Sequence, residues 1–157
     1  MSRSPTAYCV RTARAFGYTL EMLVEEVMTR AVVTLTPDET LRDALILLRS
    51  NRVRHLPVVE DSKVVGIVTD RDVKRATPSV LSGVERDEYD RVLATTKVSQ
   101  FMTREPITVT PKSGLRAAVE IFIERKVGSL LVVEDGQLVG ILTEIDVFRV
   151  ALDLLTD

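Results

Sequence analysis

Apolar positions along this chain fall into two spacings that alternate in a fixed order. Leu41, Ala44, Leu45 and Leu48 recur at i, i+3, i+4 and i+7, the stripe of a helix laid on a sheet, and Leu115, Ala118, Val119 and Phe122 repeat it. Thr40 and Ser113 stand where these helices open and suit N-cap positions. Ahead of each helix, residues 32–35 and 107–109 read as brief strands. Pro37 and Pro111 stop them, having no N–H to give a ladder. Behind each helix come two short β-rich runs, 55–59 with 63–68, then 130–133 with 138–142. Glu60-Asp61 and Glu134-Asp135-Gly136 supply the turns. A last helix begins at Thr69 or Thr143, extended in the second case over Glu144–Leu155. Short amphipathic entries, 20–27 and Val98–Phe101, lead to Met-Thr-Arg at 28–30 and 102–104. The order strand, helix, strand, strand, helix predicts α/β (α+β) lobes, each a small sheet with helices packed on one face.

The pattern occurs twice because the sequence does. Residues 24–76 lie over 98–150 without a gap, at a shift of roughly 74 positions, which is a duplication and not a many-turn solenoid. Polar residues return as faithfully as apolar ones. Gly66 and Gly140, Thr69 and Thr143, and Asp72 and Asp146 match at identical offsets. Packing alone does not require a Thr and an Asp to recur at fixed spacing.

Composition narrows the setting. Each copy sits near the lower size limit for burying its own core, so the two are expected to pack together and share one. Hydrophobic content of 45% with 28% charge fits a globular chain, and the single Cys9 cannot close an internal disulfide, which suits the reducing cytoplasm. A net charge of −2, no Trp and 4% aromatics argue against nucleic-acid partners and against an anionic membrane surface. No apolar run approaches the ~20 residues that span a bilayer. Residues 1–19 differ, with Arg3, Arg11 and Arg14 and no acid before Glu21. That has the flavour of a transit peptide or basic arm, and the favoured reading is a disordered or flexible tail. The chain then divides into a first repeat at 20–80, a polar connector at 81–97 and a second repeat at 98–157. The polar stretch between the copies carries Pro78, Gly83 and a charged helical segment around 85–93.

The chemistry sits where strand turns into helix, at Gly66-Ile67-Val68-Thr69-Asp70-Arg71-Asp72 and Gly140-Ile141-Leu142-Thr143-Glu144-Ile145-Asp146. Thr-x-x-Asp is a variant of the capping box, in which Thr accepts from the third helical amide and the acid reaches back to the Thr amide. The same geometry can serve a ligand. A helix N-terminus seats phosphate, a Thr hydroxyl donates to it, an Asp one turn along accepts from ribose hydroxyls, and Ile67 or Ile141 offers a dry wall to a purine. Its recurrence favours the ligand reading.

These residues resemble a tandem pair of cystathionine-β-synthase (CBS) domains, regulatory modules that bind adenine nucleotides, over about residues 20–155. The arrangement MTR…HLPVV…GIVTDRDVKRATPS with a polar connector is similar to the stand-alone acetoin-utilisation type. The resemblance implies two clefts related by a pseudo-twofold axis. One would hold Ile67, Thr69, Arg71 and Asp72 with Thr103, Ile107 and Val127. The other would hold Ile141, Thr143, Ile145 and Asp146 with Thr29, Val33 and Val53. Arg54-His55 and Gly128-Ser129 would line the phosphate path.

The copies differ in charge. Arg71, Lys74, Arg75, Arg54 and His55 cluster by the first motif, whereas Glu144, Ile145 and Gly128-Ser129 mark the second. The first is therefore expected to take the more highly charged nucleotide, since a charge-assisted Arg contact strengthens phosphate binding by ~1.5–3 kcal/mol. His55 has no paired Ser or Cys nucleophile, Cys9 has no metal-binding partner, and Asp70/Asp72 and Glu144/Asp146 lack the further oxygen ligands of a metal loop. No catalytic constellation and no resident metal or cofactor are expected; Mg²⁺ would arrive with a nucleotide. The expectation is a non-enzymatic sensor of AMP, ADP, ATP or S-adenosylmethionine. It would assemble as a homodimer and signal to an unidentified effector protein. The alternative is an assembly protein whose Thr-x-x-Asp motifs only cap helices.

Overall fold

The computed structural model describes residues 21–79 and 83–155. In chain order the helices are α1 (Val24–Val27), α2 (Leu41–Ser50), α3 (Asp70–Ala76), α4 (Arg86–Thr95), α5 (Val98–Phe101), α6 (Leu115–Arg125) and α7 (Glu144–Leu155). The strands are β1 (His55–Glu60), β2 (Lys63–Thr69), β3 (Thr103–Arg104), β4 (Thr108–Val109), β5 (Ser129–Glu134) and β6 (Gln137–Thr143). This is the mixed α+β class that the alternation of periods predicts. The tail expected over 1–19 lies outside the described residues.

The chain separates into two units. One comprises residues 31–106 with 135–138, and the other gathers 21–30, 107–134 and 139–155. Each unit thus takes its short entry helix from upstream of the opposite repeat: α5 belongs with β1 and β2, and α1 with β5 and β6. Backbone bonds fix the exchange. Val24 N–H donates to the Ser113 carbonyl at 2.9 Å, and Val98 N–H donates to the Glu39 carbonyl at 2.8 Å. Val24 and Val98 are both fully buried, and each contributes the roughly 1.5–3 kcal/mol of a buried aliphatic side chain.

In the 31–106 unit, β1 and β2 form an antiparallel hairpin with His55 opposite Thr69, and β3 adds to the other edge of β2 with Thr103 opposite Ile67. Asp61 and Ser62 turn the hairpin with φ of 48° and 66°. Leu41, Ala44 and Leu48 of α2 bury against Leu35, Leu56, Val58 and Val68. Helix α4 is the charged segment expected in the connector; it packs on α2 through Leu93, Tyr89 and Val92, and Arg42 donates to the Asp90 carbonyl at 3.2 Å.

In the other unit, β4 runs parallel to β5, β6 lies beside β5, and Leu115, Ala118 and Phe122 of α6 pack with Leu130, Val132 and Leu142. Two local expectations shift. Of the strand expected at 32–35, Leu35 alone makes a bridge, in parallel to Val58. The N-cap of α6 is Gly114 rather than Ser113, because the Ser113 hydroxyl accepts the Thr110 amide and closes the turn instead. Thr40 caps α2 as expected and closes a capping box with Asp43.

Candidate functional site

Each junction is a strand whose last residue is the N-cap of the following helix. Thr69 ends β2 in extended conformation and caps α3. Its N–H donates to Asp72 Oδ2 at 2.8 Å and its hydroxyl donates to the same oxygen at 2.7 Å. The Asp72 N–H returns a longer bond to Thr69 Oγ1 at 3.3 Å. The second junction repeats this: Thr143 N–H and Oγ1–H reach Asp146 Oδ2 at 2.9 and 2.6 Å, and Asp146 N–H donates to Thr143 Oγ1 at 3.4 Å. Both boxes are closed, so each aspartate is held in one orientation by the Thr before it.

The first turn of each helix is tied to the loop before the preceding hairpin. Asp70 N–H donates to the Arg54 carbonyl at 3.1 Å and Glu144 N–H donates to the Gly128 carbonyl at 3.3 Å. This places Arg54 and Gly128 beside Thr69 and Thr143, and the strand ladder adds His55 opposite Thr69. Ile67 and Ile141 are buried just ahead of the caps. Ile67 pairs with Thr103, and Ile141 exchanges two backbone bonds with Thr29, both at 2.9 Å. Thr103 and Thr29 are exposed, as are Arg71 and Ile145.

Val33 and Val53 pack with the core of the unit that carries Thr69 and Asp72. Ile107 and Val127 pack with the core around Thr143 and Asp146. The cause is local: Leu35 bridges its own copy's Val58, and Val53 N–H closes the end of α2 on the Leu48 carbonyl at 3.1 Å, so neighbouring valines stay with their own sheet.

Charge separates the junctions. Lys74 pairs with Asp70 at 3.4 Å. Burial opposes the charge on Asp70, but the Lys74 bond, the Lys74 and Arg54 charges and the Arg71 amide outweigh it and leave the carboxyl below its usual range. At the matching places the second junction has Glu144 and Phe148, and no cation pairs with Glu144 among the described residues. Arg149 Nη1 instead bonds Asp146 Oδ1 at 3.3 Å. Among the described residues no group of His, Cys, Asp and Glu is placed to hold a metal, and no helix is long and apolar enough to cross a membrane.

Sequence reasoning named Thr29 and Thr103 of the Met-Thr-Arg segments but gave Met28 and Met102 no role, and these methionines pack against the strands of both junctions. A Cβ on Gly66 would lie 2.7 Å from Met102 Sδ and 2.9 Å from the Thr103 carbonyl oxygen, and one on Gly140 2.5 Å from Met28 Sδ and 3.1 Å from the Thr29 carbonyl. At Gly66 the Thr103 backbone leaves no room for a side chain, whereas at Gly140 the Thr29 carbonyl would have to give by only a few tenths of an ångström. The signal was present in the recurrence of Met28/Met102 with Gly66/Gly140.

Comparison with known proteins agrees with this geometry. The sequence profile described as CBS domain matches residues 24–79 and 98–153. A CBS domain-containing protein of Dictyostelium discoideum is 32% identical over 138 residues, covering 87% of this chain and 95% of its own. A Vibrio cholerae protein named after acetoin utilization (AcuB) superposes with TM-score 0.72 at 33% identity, over 87% of this chain and 94% of the other. CBSX2 of Arabidopsis thaliana, solved in complex with AMP, gives TM-score 0.70 at 32% identity over 85% and 98%. Two matched segments, a glycine-gated strand in each and a capped helix after it leave one assignment: the chain belongs to the CBS domain family and carries two copies of the domain.

Proposed function

We infer that this chain is a regulatory module that binds adenosine-containing nucleotides at its two strand-to-helix junctions and passes occupancy to a partner. The observation that carries the reading is the recurrence of one geometry: a buried Ile, a Thr cap and an Asp fixed by that Thr, with a loop carbonyl tied to the first helical amide. The AMP bound by CBSX2, a relative matching 85% of this chain, supports the ligand class. Arg54, Arg71, Lys74 and His55 favour the more highly charged nucleotide at the Asp72 junction. The Asp146 junction, with Glu144 and Ile145, suits a less charged adenosyl ligand such as S-adenosylmethionine. Mg²⁺ accompanies the phosphates rather than a protein site. The reading gives the chain no catalysis of its own and places it in the cytoplasm.

A ligand shifts a two-state equilibrium only by its differential affinity for the states. The readers of that shift are an effector protein and a second copy of this chain. Ile145, Phe148, Leu152 and Leu155 form an exposed apolar stripe along α7, a face suited to a homodimer.

Thermal shift and calorimetry with AMP, ADP, ATP and S-adenosylmethionine test the reading. A ligand at 100 times its Kd adds about 2.7 kcal/mol, and Asp72→Ala removes the tighter ATP site. A flat screen overturns it in favour of the second reading, in which the two closed boxes are helix caps and nothing more.

A further inference from the structure

We propose that Arg149 is a specificity-determining residue of the second junction, competing with a ribose for the outer oxygen of Asp146. This rests on the reading of Asp72 and Asp146 as ribose acceptors and explains why two junctions with one motif would bind unequally.

The copies carry the same three residues at the same offsets, Thr69, Asp72 and Arg75 against Thr143, Asp146 and Arg149. Their caps are alike to within 0.1 Å in each bond. The arginines behave differently. Arg149 donates to Asp146 Oδ1 at 3.3 Å, while Oδ2 already takes both Thr143 donors. Among the described residues Arg75 makes no ion pair and Asp72 Oδ1 has no side-chain donor. A ribose diol arriving at Asp72 finds an open acceptor, whereas at Asp146 it competes with a guanidinium for the same oxygen.

Neighbouring residues account for the difference. Arg75 lies one helical turn from Arg71, a like charge at i, i+4, and that repulsion disfavours the inward rotamer toward Asp72. At the matching place before Arg149 stands Ile145, which exerts no such force. Lys74 has Asp70 to pair with, but Phe148 leaves Arg149 as the only cation of the described α7 residues. Asp146 is also the more enclosed carboxylate, 7% exposed, and an enclosed carboxylate gains more from an added donor. The Arg149 side chain is itself 72% exposed. It therefore competes without sealing the site, and its removal tightens ribose binding by up to about fivefold, the upper end for an exposed pair.

Adenosine is the probe, since it has the ribose and base and no phosphate for an arginine to attract. Full-length protein carrying Asp72→Ala, which silences the first junction, is titrated calorimetrically with adenosine and with AMP, with and without Arg149→Gln. Adenosine binding tightens in Arg149→Gln, whereas Arg75→Gln in an Asp146→Ala background leaves adenosine affinity at the first junction unchanged. Equal or weaker adenosine binding in Arg149→Gln overturns the proposal, as does a loss confined to AMP, which would make Arg149 a phosphate contact. Asp146→Ala separates the two claims. If it abolishes the second adenosine site while Arg149→Gln is neutral, only the role of Arg149 falls. If neither aspartate substitution affects adenosine binding, or adenosine and AMP do not bind, the ribose reading falls and this proposal with it.

Discussion

Gly66 lies beneath Met102, so close that a Cβ would come within 2.7 Å of the sulfur and 2.9 Å of the next carbonyl oxygen. The thioether can swing aside, but the Thr103 carbonyl is fixed by the β2–β3 pairing. Gly66→Ala therefore costs about 1–3 kcal/mol, the range of overpacking, measured by urea unfolding. Met102→Ala in the same chain recovers only part of it, because the backbone clash remains. Full recovery in the double variant would assign the strain to the side chain.

Thr69→Ala removes a cap and, on the proposed function, a ligand contact together. It lowers stability by about 1 kcal/mol and weakens AMP binding. Thr69→Ser, which keeps the hydroxyl, restores both in the same unfolding and calorimetric measurements. A variant that loses the cap's stability yet keeps full AMP affinity would divorce the two roles.

The hairpin turns form an internal comparison. Asp61-Ser62 and Asp135-Gly136 occupy matching places, all four with positive φ, the type I′ geometry that suits glycine at its second position. Ser62 therefore carries a left-handed backbone cost that Gly136 does not. Ser62→Gly stabilises the protein by about 0.5–1 kcal/mol, read as a raised urea midpoint with unchanged slope.

Acid weakens the 31–106 unit at α2 as well as at α3. Thr40 donates its hydroxyl and its N–H to Asp43, and together, against a small cost of burial and with help from Arg42, they hold that carboxyl below its usual range. A depressed carboxyl binds protons less readily in the folded chain than in the unfolded one. Its stabilisation is complete above the unfolded pKa and is lost as pH falls through the folded one. Unfolding free energy measured across the acid range falls less steeply in Asp43→Asn than in the parent; parallel curves would remove Asp43 from the account.

How much the sequence discloses depends on whether a feature is periodic. The buried stripe of Leu41, Ala44 and Leu48, the hairpins and the span of α7 follow from spacing alone. The caps Thr69 and Thr143 follow because Thr-x-x-Asp has a single local geometry. The start of α6 does not, since the choice of Gly114 over Ser113 turns on which amide one hydroxyl meets. Nor does the placement of Val33 and Val53, which a bridge of Leu35 to Val58 decides. The opposite conduct of Arg75 and Arg149 is least legible, because identical residues at identical offsets diverge through their neighbours Arg71 and Ile145.

The traded entry helices constrain how the polypeptide matures on the ribosome. Val24 emerges well before its hydrogen-bond acceptor Ser113, and Thr29 before its strand partner Ile141. Residues 31–106 can close their hairpin and helices as soon as Val98 clears the exit tunnel, while residues 21–30 wait for Ser113 and Ile141 to be translated. Synthesis thus completes one half early and leaves the other to be assembled from segments that flank it on both sides.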